Sequence, residues 1–135
     1  MPLVLELKPK ERVVINGAVI TNDGRRTRLS VENFAQIIRE KDIMREREAT
    51  TPARRVYFLA QCMLLGVTDT QSQDAYKTAL DKAITDLDAA LTRREVKAHL
   101  DSVRDLVDKQ DFYKALIALK PVLDYEAQLL AIAGQ

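Results

Sequence analysis

One cysteine, one histidine, no tryptophan and only four glycines in 135 residues leave this chain little of the chemistry that catalysis and metal binding draw on. Cys62 alone cannot close an internal disulfide or complete a multi-cysteine metal site. Its place in a largely apolar stretch points to a packed thiol in a reducing compartment. No glycine-rich phosphate loop and no His-x-x-x-His spacing occurs, so neither nucleotide nor zinc sites have support, and no metal or cofactor is expected. His99 falls inside a helical pattern, where a packed or half-exposed imidazole is the default, which removes the usual general base. Asp81, Asp86, Asp88, Asp101, Asp105 and Asp108 fall on the polar sides of helices, where they solvate a surface rather than bracket a reacting bond. No catalytic residue is assigned, and the chain reads as a binder, not an enzyme. Nowhere do about 18 apolar residues run together, and Glu6 and Lys8 break the opening stretch early. A cytoplasmic, soluble protein with no membrane partner is expected.

What is present is charge, and it is unevenly spread. The net charge is +1, yet residues 1 to 55 carry 12 Lys/Arg against 8 Asp/Glu while residues 56 to 135 carry 9 against 12. Such a split suits either a polyanion bound to the first half or attraction between opposite surfaces in a homodimer. Apolar content of 47% is enough for a core.

The first half has the period of strands. Leu3, Leu5 and Leu7 alternate with Val4, Glu6 and Lys8, and a β-branched run from Arg12 leads into Asn16-Gly17, the strongest short hairpin signal. Ala18 to Thr21, a second turn at Asn22-Asp23-Gly24, alternation around Leu29 and Val31, and Phe34 to Ile38 complete four or five short antiparallel strands. Thr51-Pro52 then reads as a helix start and Gly66 as its end. Helical spacing returns from Tyr76 to Leu91, after a polar segment from Thr68 to Gln73. Thr92 with Glu95 makes a capping-box pattern for a helix that carries Val96, Leu100, Val103 and Val107 on one face. Pro121 is expected to kink or split the last amphipathic stretch, which runs from Phe112 to Leu130. The fold class is α+β: a small antiparallel β unit over residues 1–48 followed by a helical bundle over 49–135.

Cations cluster at the junction and at strand ends. Arg54 and Arg55 project from a first helical turn, where the helix dipole disfavours them unless an anion or carboxylate is near. That marks an anion site, with solvated arginines near Glu46 and Glu48 as the alternative. Lys8, Lys10, Arg12, Arg25, Arg26, Arg28, Arg39, Lys41, Arg45 and Arg47 recur at strand ends and turns, a plausible phosphate track. Phe34 is the only aromatic before Tyr57, so stacking platforms for unpaired bases are scarce.

The chain resembles the FlbT family of bacterial flagellar regulators over nearly its whole length. The resemblance is carried by Pro-Leu-Val-Leu-Glu-Leu-Lys-Pro (2 to 9), Ile-Asn-Gly-Ala-Val-Ile (15 to 20), Arg-Glu-Lys-Asp-Ile-Met (39 to 44), Ala-Thr-Thr-Pro-Ala-Arg-Arg-Val-Tyr-Phe (49 to 58), and Phe112-Tyr113-Lys114-Ala115-Leu116. It implies a post-transcriptional repressor that binds the 5′ leader of flagellin messenger RNA and favours its decay, opposed by FlaF, a small helical protein. The first forty-odd residues are also similar to the RNA-binding regulator CsrA, a small β-rich dimer. Leu3-Val4-Leu5 and Glu11 through Ile15 fall in step with its opening, and Arg39-Glu40 resembles its RNA-contacting Arg-Glu. The chain departs from it at Leu7, where that family has an arginine, and by one extra residue between Arg39 and Ile43.

These readings place RNA contacts at Arg25, Arg26, Arg28, Arg39, Lys41, Arg54 and Arg55. They place self-association or the FlaF contact on the stripe Phe112, Leu116, Leu119 and Leu123, with plain core of the helical domain as the alternative. The rival is a protein-only adaptor, a chaperone-like binder of flagellin or of an export component.

Overall fold

In the computed structural model, which describes residues 3–66 and 70–134, the chain divides into two compact units, Met1–Ile43 and Met44–Gln135. The first holds β1 (Leu3–Leu7), β2 (Arg12–Ile15), β3 (Ala18–Thr21), β4 (Thr27–Val31) and β5 (Ile37–Arg39), followed by a 3-10 turn at Glu40–Asp42. The second holds a 3-10 turn at Glu46–Glu48 and four helices: α1 (Pro52–Leu65), α2 (Thr70–Ala90), α3 (Arg94–Asp108) and α4 (Phe112–Ala133).

Every strand pair in the first unit is antiparallel, in two small sheets: β1 with β4, and β3-β2-β5. Asn16 (φ 50°) and Gly17 (φ 82°) form the two-residue turn with both central residues left-handed, matching the twist of the strands they join. Leu5, Leu7 and Val13 form the core, with Ile15, Leu29, Val31 and Ile37 packed against it. The last strand is shorter than the alternation suggests. It starts at Ile37, and Phe34 stands in the preceding loop at 87% exposure. That loop is tied to the hairpin turn, because Gln36 N–H donates to Asn16 Oδ1 (2.8 Å) and Asn16 N–H donates to Gln36 O (2.8 Å).

In the helical unit, α1 packs on α2 and α4, and α3 packs on α4. The core takes Val56 and Leu59, then Leu80, Ile84 and Leu87, then Leu100, Val103 and Val107, then Leu116 and Leu119 from the expected periodic positions and adds Val122, whereas Met63, Tyr76, Val96 and Leu123 are only half-buried and Leu130 is exposed. Burying each such side chain contributes about 1.5–3 kcal/mol before entropy is counted. Gln61, buried at 4%, exchanges two 2.8 Å hydrogen bonds with the Met44 backbone, so residues from 44 onward join the helical unit.

Four local expectations need correction. The second helix has already begun at Thr70, so Gln71 to Gln73 are helical, whereas Thr68 lies outside the described residues. Thr92 and Glu95 make no capping box. The residue before α3 is Arg93, with no side-chain cap, and Glu95 instead accepts from Arg93 Nε at 3.1 Å. Its own backbone N–H, then Arg93, hold the Glu95 carboxyl below the ordinary carboxylate range. Pro121 does not split α4, which runs unbroken from Phe112 to Ala133. Pro121 and Ile117 are both exposed, so the carbonyl that loses its donor lies on the solvated side of the helix. Last, the Phe112 stripe is interior, as described below.

Candidate nucleic-acid interface

The cationic end of the β unit is built around one side chain, Asn22. Its Nδ2 reaches Leu7 O (3.0 Å), Lys8 O (3.1 Å) and Arg25 O (2.9 Å), and its Oδ1 accepts from Gly24 N–H (3.1 Å). Its backbone carbonyl accepts from Lys10 N–H (2.7 Å) and its N–H donates to Glu11 O (2.9 Å). The Lys8–Glu11 turn closes on itself through Lys8 N–H to Glu11 Oε1 (2.8 Å), with Lys10 left-handed at φ 68°. Two turns far apart in sequence are thus stapled together, and Lys8, Lys10 and Arg25 share one end of the unit. Because β5 runs antiparallel to β2, its continuation brings Lys41 to the same end. Lys8, Lys10 and Lys41 line one open hollow with Pro9, Glu11 and Glu40.

The carboxylates at this end are partly engaged. Glu11 is held by the Lys8 amide, and Glu40 lies 3.6 Å from Arg12 Nε. Lys10 pairs with Asp23 at 2.9 Å, but both side chains are over three-quarters exposed, and such a pair is worth little in water. Arg39 stands opposite Val13 and shares a crevice with Arg12 and the Leu5–Leu7 segment. Among the described residues, Arg25, Arg39 and Lys41 have no carboxylate at ion-pair distance. Arg26 and Arg28 differ: both approach Glu6, at 3.0 and 4.0 Å, as the cross-strand register of Glu6 with Arg28 requires. Within the β unit the five sequence-predicted cations therefore divide into three unpaired and two that share a carboxylate, among the described residues. Lys8, also without a carboxylate at ion-pair distance among the described residues, and Lys10, whose only such partner is the exposed Asp23, lie at the same end as Arg25 and Lys41, a grouping visible only once Asn22 joins the turns.

Arg54 and Arg55 belong to the helical unit, at the start of α1, and both are exposed. Thr51 Oγ1 caps that start by accepting from Arg54 N–H (3.3 Å). The anion expected there is part of the chain: the Glu126 carboxylate of α4 accepts the Thr51 hydroxyl and Ala53 N–H, the latter at 2.8 Å. An acid at a helix N-terminus satisfies orphan amides and the dipole together. The helix start itself is filled from within, while Arg55 lines an open hollow beside it with Thr51, Pro52, Lys82 and Asp86. Glu48, offered as a neighbour, accepts instead from Arg45 N–H (2.9 Å).

Phe112, Leu116 and Leu119 are 9%, 2% and 0% exposed and Leu123 is half-buried. As folded, the stripe that looked available to a partner is the inner face of α4. What α4 leaves in water is Ile117, Leu129, Leu130 and Ile132. Leu130 continues the buried stripe by helical spacing whereas Ile117, Leu129 and Ile132 fall off it, so spacing gives the face but not how far along it the packing extends.

Other chemistry is sparse. Among the described residues no group of three or more His, Cys, Asp or Glu side chains could hold a metal, and no helix is long and apolar enough to cross a membrane. His99 is half-buried on α3, with Nε2 enclosed and unpartnered. Several helical aspartates pair with lysines, as in Lys77–Asp81 (2.7 Å) and Lys109–Asp105 (2.9 Å). Burial and, secondarily, Glu46 push the Cys62 thiol above its ordinary pKa. Cys62 is accordingly expected to alkylate with iodoacetamide several-fold more slowly than glutathione at pH 8, because less of it is thiolate. Equal rates in a thiol-labelling time course would contradict that.

Comparison with known proteins matches residues 3–130 to the model of the family described as flagellar protein FlbT. A protein of Caulobacter sp. (strain K31) named probable flagellum biosynthesis repressor protein FlbT is 39% identical over 131 residues, covering 96% of this chain and 97% of that one. Its namesake in Rhodopseudomonas palustris (strain TIE-1) is 37% identical, covering 97% and 99%. The flagellum biosynthesis repressor protein FlbT of Caulobacter vibrioides is 34% identical, covering 96% and 90%. No solved structure matches the chain.

Proposed function

The chain belongs to the FlbT family of flagellar proteins, and from that premise we propose that it represses flagellin synthesis by binding the 5′ leader of flagellin messenger RNA. The observation that carries this reading is the array of Lys8, Lys10, Arg25, Arg39 and Lys41 on one small unit, with Arg25, Arg39 and Lys41 unpaired among the described residues. Closely held cations neutralise successive phosphates and release counterions, which supplies most sequence-independent affinity. Occupying the leader then blocks translation or exposes the transcript to decay. No bond is made or broken by the protein. The relatives' names, which say repressor, support the direction of the effect.

Phe34 is the one aromatic side chain fully offered to solvent among the described residues, at the opposite end of β2 from the lysines. Base stacking is therefore at most a single contact, and phosphate and backbone contacts dominate. FlaF engages the helical unit through side chains that α4 leaves in water, Ile117, Leu129, Leu130 and Ile132, rather than through Phe112, Leu116 and Leu119. The same exposed side chains favour a second reading, in which the protein is an adaptor for flagellin or an export component and binds no RNA.

A titration of flagellin leader RNA at several salt concentrations separates the readings. Phosphate contacts give a log-log slope of about −0.7 for each phosphate neutralised on a single strand. The adaptor reading gives no binding even at low salt.

A further inference from the structure

β3 is the outer strand of its sheet, paired on one side with β2 and, among the described residues, with nothing on the other. All four of its residues, Ala18-Val19-Ile20-Thr21, are exposed, Val19 at 51% and Ile20 at 38%. Sheets guard an open edge with charge, proline, a bulge or a covering element, because its free amides and carbonyls recruit another strand. β1 carries Glu6, β4 carries Arg28 and β5 carries Arg39. β3 alone carries no charge and no proline, and two of its four residues, Val19 and Ile20, are large β-branched hydrophobics.

The ladder fixes which groups point outward. With a two-residue turn at Asn16-Gly17, Ile15 and Ala18 exchange both hydrogen bonds, and so, by alternation, do Val13 and Ile20. The N–H and C=O groups of Val19 and Thr21 therefore face the open edge. We propose that this edge pairs with its own copy in a second chain, antiparallel and centred on Ile20. Val19 then exchanges hydrogen bonds with Thr21 of the other copy and Thr21 with Val19, so all four outward groups of each strand find partners. The two Ile20 side chains meet on the two-fold axis as a non-hydrogen-bonded pair, with Cα atoms about 4.5 Å apart.

Three features favour a second copy over a foreign strand. A strand without charge meets no like charge when it pairs with itself, whereas a basic or acidic partner peptide would find no complementary group on it. The pairing is self-satisfying in hydrogen bonds. Ile20 also stands opposite Val13, on the face that holds Leu5 and Leu7, so the axis joins two small cores into one. A unit of this size buries little by itself, and oligomerisation is a common remedy. The product is a continuous six-stranded sheet, β5-β2-β3 with its symmetry copy.

Light scattering on the full chain is expected to give a dimer, and Ile20→Lys, which puts two ammonium groups on the axis, is expected to give a monomer. On a Cys62→Ser background, Ile20→Cys should cross-link on mild oxidation, because directly opposed non-hydrogen-bonded positions suit disulfide geometry, while Val19→Cys should not. A monomeric wild type, a dimer that survives Ile20→Lys, or cross-linking through Val19→Cys as readily as through Ile20→Cys overturns the assignment. Should Ile20→Lys fail to fold, the paired cysteine variants decide alone.

Discussion

On the proposed RNA-binding reading, converting Lys8, Arg25 and Lys41 together to glutamate is expected to lower the affinity for flagellin leader RNA by at least about 100-fold in ~0.1 M salt, since each phosphate neutralised on a single strand contributes a factor of about 5 there. The salt slope should become shallower by about 2 in the same titrations, because three counterion-releasing contacts are lost. The three side chains are exposed, so the fold should tolerate the change to within roughly 0.5 kcal/mol each. Lys82→Glu, Lys109→Glu and Lys114→Glu together, in the helical unit and beside Asp86, Asp105 and Asp111, are the matched control and should leave both affinity and slope nearly unchanged. If the control and the triple variant weaken binding equally, net charge and not the Asn22-stapled array is responsible. An unaltered triple variant would move the RNA contacts elsewhere, with Arg54 and Arg55 next to be reversed.

The second large effect concerns stability. Glu126→Ala is expected to cost about 2–4 kcal/mol, since it removes two charge-assisted hydrogen bonds, from the Thr51 hydroxyl and from Ala53 N–H, at a partly buried helix start. Glu126→Gln keeps an acceptor and loses the charge, so it should fall between. Thr51→Val should lose less when Glu126 is already absent, and a double-mutant cycle by urea denaturation measures that coupling. A loss under about 0.5 kcal/mol for Glu126→Ala would mean that water replaces the carboxylate without penalty.

The same carboxylate shows where local reading stops. Thr51-Pro52 announces a helix start within two residues, and Arg54 and Arg55 announce an electrostatic deficit, but the acid that relieves it lies 73 residues beyond Ala53 on another helix. No spacing rule reaches that far. Asn22 behaves likewise. Its turn was legible from Asn-Asp-Gly, whereas its role in joining the Lys8–Glu11 and Asn22–Arg25 turns depends on strands that pair first. The intrinsic cost of Pro121 predicts a break, yet that cost falls on the exposed side of α4, where water can serve the freed carbonyl. The Phe112, Leu116 and Leu119 stripe was legible as apolar but not as inward, because periodicity gives a face and only packing says what covers it.

By itself the sequence determined the α+β class, the β2–β3 hairpin, the capped start and glycine end of α1, and most of the core positions of the helices. Alternation, turn chemistry and helical spacing are settled among residues a few places apart, so they survive in the bare string. The tertiary structure alone decided which cations stand unpaired, which acid fills the α1 start, which side of α4 faces water and which strand is left open. Each of those depends on pairing between distant residues, where partner and solvent compete for the same group.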